Sequence, residues 1–192
     1  MTRDPRYDVL FEPVRIGPVT ARNRFYQVPH CNGMGRTHPT AMAVMRGIKA
    51  EGGWAVVCTE QCDIHPTSET TREIRLWDDR DIPSLARMTE QVHEHGGLAG
   101  IELTHMGYHA YNVTSREVPM APSATPAYGI LPQQAREMDI SDIADYRRWH
   151  RAAARRSKEA GFDIIVVYAG HDLSLLMHFL SPRTNRRTDE YG

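Results

Sequence analysis

An α/β fold built on parallel strands is predicted for this chain of 192 residues, and three observations predict it. Residues 54–59 (WAVVCT), 98–103 (LAGIEL) and 164–167 (IIVV) are apolar runs without the alternation of a strand that has one wet face. Such runs mark strands covered on both sides. The segments between them, 39–51, 78–95 and 139–160, carry helical patterning, and the first two end at the glycine pairs Gly52-Gly53 and Gly96-Gly97, which stop a helix.

In chain order, residues 8–24 read as two short extended pieces around the turn Ile16-Gly17-Pro18. Residues 24–30 (RFYQVPH) form the first strand of the sheet, stopped by Pro29 and followed by a flexible run, 31–35. The helix 39–51 leads to the second strand, 54–59, which brings Glu60 and Gln61 to the end where the first strand leaves Cys31. Helix 78–95 is N-capped and places Ile82, Leu85, Met88 and Val92 on one stripe. The third strand, 98–103, contains a single charge, Glu102, and a carboxylate inside a buried strand requires a reason. Thr104, His105 and Gly107 continue from it onto the rim. Residues 108–138 hold several prolines and little periodicity, which predicts a loop over the mouth of a site. A helix over 139–160, capped near Ser141, returns the chain to the fourth strand, so four strand-helix units are expected, the last without its helix.

A formal net charge of -1 gives no bulk attraction to nucleic acid or to an anionic membrane. No apolar run approaches the ~20 residues of a membrane helix, and the first residues lack an apolar segment of signal-peptide type. A cytoplasmic protein is expected. Three cysteines point to a reducing compartment, with Cys58 and Cys62 assigned to packing. His105-x-x-x-His109 has the spacing of a helical metal pair but lies in a glycine-containing loop with no flanking carboxylate set, so no metal is expected. Arg147, Arg148, Arg151, Arg155, Arg156 and Lys158 share a helix with Trp149 and several alanines and read as its solvated face.

Tyr168 and His171 close the fourth strand at its carboxyl end, where α/β folds keep their chemistry. Taken alone, either side chain could simply be satisfied by neighbouring backbone. Residues 179–192 (FLSPRTNRRTDEYG), however, resemble the FLSP, N-x-R-x-D-x-Y-G signature of the old yellow enzyme family of FMN oxidoreductases, and residues 115–124 (SREVPMAPSA) resemble a loop that the family packs near its active site. Most of that family ends the preceding strand in His-x-x-His or His-x-x-Asn. The Tyr168-Ala169-Gly170-His171 found here resembles the branch of amine dehydrogenases, whose members oxidise trimethylamine, dimethylamine or histamine.

The resemblance implies a TIM (β/α)8 barrel, here its first four βα units with the amino-terminal hairpin as a plug across the bottom. Such a barrel needs ~250 residues, so residues 1–192 are expected to be the amino-terminal portion of a single FMN-binding domain, truncated. It implies FMN as cofactor, bonded through C6 to Cys31, whose alternative role is that of a buried small hydrophobe. Backbone groups of Val28, Pro29 and His30 would line the isoalloxazine, and Glu102 would meet its pyrimidine edge. Gln61, Thr104, Tyr168 and His171 would contact substrate, the last two as catalytic residues. Gln61 stands where the trimethylamine enzyme has an aromatic residue that holds an ammonium by cation-π contact. Glutamine accepts a hydrogen bond from N–H instead, which implies a secondary or primary amine. A 4Fe-4S cluster and an electron acceptor protein are implied for the parent, the cluster outside this chain because three cysteines do not supply four ligands. Unpaired edges on the first and fourth strands favour a homo-oligomer. Two alternatives stand beside amine oxidation: an ene-reductase of the same fold driven by NAD(P)H, and a non-catalytic half barrel that assembles with itself or a partner.

Overall fold

In the computed structural model, which describes residues 4–127 and 133–192, a 3-10 turn (Pro5–Phe11) precedes an antiparallel hairpin of β1 (Val14–Ile16) and β2 (Val19–Ala21). Gly17 turns the hairpin at a φ of 56°, a left-handed conformation that glycine adopts without steric cost. Ala21 is buried with Ala55, Val56 and Cys58, and Val14, Ile16, Leu98 and Ile164 pack around them. These partners lie at or near the strands' amino ends, so the hairpin plugs the end of the sheet opposite the predicted chemistry. Arg22 fixes it there, donating to the carbonyls of His95 at 2.7 Å and Ala50 at 2.8 Å, the last turns of two helices.

The sheet is formed by β3 (Tyr26–Gln27), β4 (Val56–Asp63), which also pairs the short β5 (Ile74–Arg75), and β6 (Leu98–Thr104). α1 (Pro39–Glu51) joins β3 to β4, and α2 (Ile82–Glu94) leads into β6. The segment after β6 holds β7 (Met120–Ala121), β8 (Thr125–Pro126) and β9 (Gln134–Glu137), then α3 (Ile140–Glu159). The last strand of the sheet, β10 (Ile164–Val167), is followed by α4 (Leu175–Leu180). β3, β4, β6 and β10 are all parallel, and each lies beside the one before it in the chain. A doubly wound sheet reverses its strand order at a switch point. Here nothing reverses, so the four strands are an arc of a barrel rather than a closed one. Met42, Val57, Leu85, Met88, Ile101 and Ile143 lie in the core between this arc and its helices. Among the described residues no helix is long and apolar enough to cross a membrane.

Several expectations are corrected by the structure. β10 is not covered on both faces: Ile165 is 39% and Val167 57% exposed, because no helix of the described chain lies over that side of the strand. The helix over 140–159, expected to be capped near Ser141, takes Asp139 as its cap, in a reciprocal capping box with Asp142. Asp78 caps a 3-10 turn (Asp79–Asp81) that precedes α2, so the α-helix itself starts at Ile82. Residues 108–138 are not a plain loop. β9 pairs with β7 in parallel and with β8 antiparallel, a pattern too short to show as periodicity. Residues 128–132, inside that predicted loop, lie outside the described residues. The ladder of the first strand covers only Tyr26 and Gln27, whereas β4 runs on to Asp63 because β5 and β6 continue to pair with it. The short α4 after the fourth strand packs against β7 and the turn at 107–109 rather than over β10, so the helix expected to be missing from the fourth unit is not supplied by it.

Candidate active site

The carboxyl ends of the four strands form one open face. Val28, His30, Cys31 and His171 are exposed on it. The register between β4 and β6 shifts there, from Cys58 opposite Gly100 to Gln61 opposite Glu102, so β4 carries one extra residue. A bulge of this kind re-aims a side chain. The Thr59 hydroxyl takes the Glu102 backbone N–H at 3.2 Å. Glu60 is the side chain redirected: although expected on the rim, it is 0% exposed. Its carboxylate accepts four backbone N–H groups, from Asn32 at 3.1 Å, Gly33 at 3.2 Å, Gly35 at 2.9 Å and Ile74 at 3.1 Å. Burial raises its pKa, and those N–H groups work against the rise.

Arg46 meets the same loop from α1, at the residue before Cys31. It lies on the buried stripe of α1 with Met42, Ala43 and Ala50 and is 0% exposed. Its guanidinium donates to the His30 carbonyl at 2.6 Å and to Gln27 Oε1 at 2.9 Å, and the Gln27 amide turns to the Val28 carbonyl. The His30 N–H reaches the Thr59 carbonyl at 3.1 Å. The backbone predicted to line a flavin ring is therefore held from behind by polar side chains.

Cys31 lies between these two sets of contacts. Packing around its sulfur and the carboxylates of Glu73, Glu60 and Glu102 push the thiol up, while the Gln61 N–H pulls it down. Gln61 donates to the Met106 sulfur at 3.3 Å, which leaves its amide oxygen as an acceptor. Glu102 is 8% exposed, with no side-chain hydrogen bond among the described residues, and burial alone raises its carboxyl to about 7. A partnerless carboxyl at the mouth of a parallel arc suits the edge of a ligand that offers N–H groups. The Tyr168 hydroxyl is hydrogen-bonded to His171 Nδ1, and burial, with Glu102 and Cys31, raises the Tyr168 pKa, so the phenol stays protonated at neutral pH. Thr104 is not on the face: it is 1% exposed and its hydroxyl has no partner.

The histidines serve a different purpose. His105 is buried; its Nδ1 accepts the Gly107 N–H at 3.1 Å, and its Nε2 lies 2.9 Å from the Thr67 hydroxyl, which reaches His65 Nδ1 at 2.8 Å. His65 stacks on Trp149 with ring centroids 3.6 Å apart. Burial depresses His65, His150 and His178 to about 4, and His105 and His109 are also lowered, so these rings are neutral packing groups. Among the described residues no cluster of three metal-ligating side chains occurs. The tail is likewise a fastening. Asn185 donates to the carbonyls of Phe179 at 2.9 Å and Tyr191 at 2.7 Å. Arg187 pairs with Asp189 and reaches the Pro122 carbonyl at 3.0 Å, and Arg186 meets the Ala124 carbonyl at 2.7 Å. Thus the FLSP tail binds the 115–124 segment to the end of β10.

Sequence reasoning passed over Arg46 and gave Glu60 no role. The signal for Arg46 was present, since it is the one charge on the apolar stripe of α1. Glu60 gave no such signal, because its inward turn follows from the bulge.

Residues 9–192 match the NADH:flavin oxidoreductase / NADH oxidase family, and the chain belongs to it. Within that family it is 44% identical over 200 residues to the dimethylamine dehydrogenase of Hyphomicrobium sp. (strain x), an alignment that takes in 100% of this chain and 27% of that protein. Its structure matches the histamine dehydrogenase from Rhizobium sp. 4-9 with a TM-score of 0.96 at 56% identity, covering 99% of this chain and 30% of that one. It is also 36% identical over 194 residues to an NADPH dehydrogenase of Listeria monocytogenes serotype 4a (strain HCC23), covering 95% of this chain and 54% of that protein. The chain therefore spans only the stated minor share of the two amine dehydrogenases and about half of the NADPH dehydrogenase.

Proposed function

We propose that this chain is the amino-terminal part of one FMN-binding barrel domain, in a protein that oxidises a small secondary or primary amine. The observation that carries the proposal is the convergence of exposed Cys31 and His171 and half-buried Tyr168 with the buried Gln61 and Glu102 at the carboxyl ends of the strands. Cys31 would be the attachment point, Glu102 would meet the pyrimidine edge of the ring, and the 28–30 backbone would lie alongside it. FMN, when bound, would supply a two-electron acceptor for the C–H bond next to the amine nitrogen, and the resulting iminium would take up water to give an aldehyde and the smaller amine or ammonia. An iron-sulfur cluster outside this chain would pass the two electrons to an acceptor protein.

The chain's own residues hold the amine. The Gln61 oxygen accepts an N–H, a contact that a tertiary amine has to be protonated to offer. Tyr168, kept protonated and joined to His171, donates its O–H towards the amine nitrogen and orients the substrate. Similarity to an NADPH dehydrogenase supports a second reading, reduction of an enone. Tyr168 counts against it, since it occupies a position where that chemistry uses His to hold a carbonyl oxygen. Anaerobic bleaching of the protein's flavin decides between them: dimethylamine or histamine is expected to reduce it, and reduction by NADPH with turnover of an enone but none by either amine would refute the proposal. Gln61→Tyr is expected to shift relative kcat/KM towards trimethylamine by roughly tenfold, the scale of one cation-π contact. An unchanged amine ranking would remove Gln61 from the substrate site.

A further inference from the structure

We propose that Arg46 and Glu60 are positioning residues for Cys31: they grip the 28–35 loop from its two sides and thereby set where the thiol stands. The inference rests on the reading of Cys31 as the flavin attachment point. Arg46 fixes the residue immediately before Cys31 through the His30 carbonyl, at 2.6 Å, and supports Gln27, which holds Val28. Glu60 fixes the residue immediately after it through the Asn32 N–H, at 3.1 Å, and continues to Gly33 and Gly35. Cys31 is the residue between the two grips. Both charges are 0% exposed, and no ion pair joins them among the described residues.

Burying an ion costs several kcal/mol after relaxation, so two such groups beneath a short loop stand out against the hydroxyl and amide contacts that would suffice to tie down a surface turn. Their effect is to order a segment with no ladder of its own. Gly35 belongs to the same device. A Cβ there would lie 2.2 Å from Glu60 Oε1, so only glycine lets the backbone close onto the carboxylate. A bond between sulfur and a ring carbon requires the thiol to be presented at a defined height and angle, and geometry of this kind dominates the rate of intramolecular steps.

The test uses Glu60→Gln, Arg46→Met and Arg46→Lys in the intact protein, with two readouts. One is the covalent fraction of bound FMN, from intact mass after acid denaturation. The other is the pH profile of Cys31 alkylation by iodoacetamide, with Glu60, Glu73, Glu102, Arg46 and Tyr168 as the charged or titratable groups facing the thiol. Glu60→Gln and Arg46→Met are expected to bind FMN within about twofold of the parent while covalent attachment slows at least tenfold, and Arg46→Lys to recover part of that loss. Removing the Glu60 carboxylate also moves the alkylation profile to lower pH, so the thiol becomes more reactive as attachment slows. Unchanged attachment in both variants would overturn the proposal, as would loss of FMN binding and of the thermal transition together with attachment. A parent without covalent flavin would refute the attachment reading alone. The alkylation profile then decides, and identity of the Glu60→Gln and parental profiles would overturn the clamp.

Discussion

Gly35→Ala is expected to destabilise the protein by about 3 kcal/mol or more, from overpacking together with strained hydrogen bonds to a buried charge. The new Cβ would fall 2.0 Å from Ile74 Cγ2 and 2.2 Å from Glu60 Oε1. Neither neighbour is free to retreat. Ile74 is buried in β5, paired with Cys62, and the Glu60 carboxylate is held by four N–H groups. The expected fall in Tm is on the order of 10 °C for a chain of this size. Gly17→Ala provides the comparison, since a Cβ there meets nothing within 4 Å and its cost is confined to a φ of 56°, about 1–2 kcal/mol. Similar melting temperatures for the two variants would show that the 28–35 loop yields freely and that Glu60 does not organise it.

The second large effect is a pH dependence centred on Asp63. This carboxyl is buried; it accepts the Thr70 N–H and hydroxyl at 2.7 Å each and the Ser68 hydroxyl at 3.4 Å, yet burial outweighs them and raises its pKa to about 8. An acid whose folded pKa lies above its unfolded value of about 3.9 binds its proton more tightly in the native state. Stability from this group is therefore present in full below pH 4 and is lost as pH rises towards 8. Asn matches the protonated form, keeping an oxygen for Thr70 and offering an N–H to Ser68. The stability of Asp63→Asn relative to the parent should accordingly rise between pH 5 and pH 8, by several kcal/mol at roughly 1.4 kcal/mol per pH unit. Taking the difference between the two proteins cancels the buried histidines, whose lowered values act in the opposite direction. A difference that is flat across this range would mean that Asp63 is ionised in the native protein with the Thr70 donors compensating its burial.

The contrast between what could and could not be read from sequence has physical causes. The strands at 98–103 and 164–167 and the helix at 39–51 were legible because burial writes apolar runs and glycine stops into the chain. The position of Tyr168 and His171 followed from the same reading, since a strand end fixes where its next residues stand. The exposed side of β10 was not legible: IIVV records a covering that the described chain does not itself supply. Nor was the inward turn of Glu60, since a bulge depends on the register with β6, which alternation along one strand does not encode. Thr104 shows the same limit, placed on the rim by counting but buried by its pairing with Asp63. The FLSP tail pointed to the family, while its side chains turn out to join segments rather than to act at the site.

Intact mass after acid denaturation, measured for the protein beside Cys31→Ala, reads the flavin attachment directly. A mass increment of one FMN that survives denaturation is expected in the parent and absent in Cys31→Ala, with the variant still binding FMN reversibly. Complete release of the flavin by acid from the parent, leaving a chain of unmodified mass, would contradict attachment through Cys31.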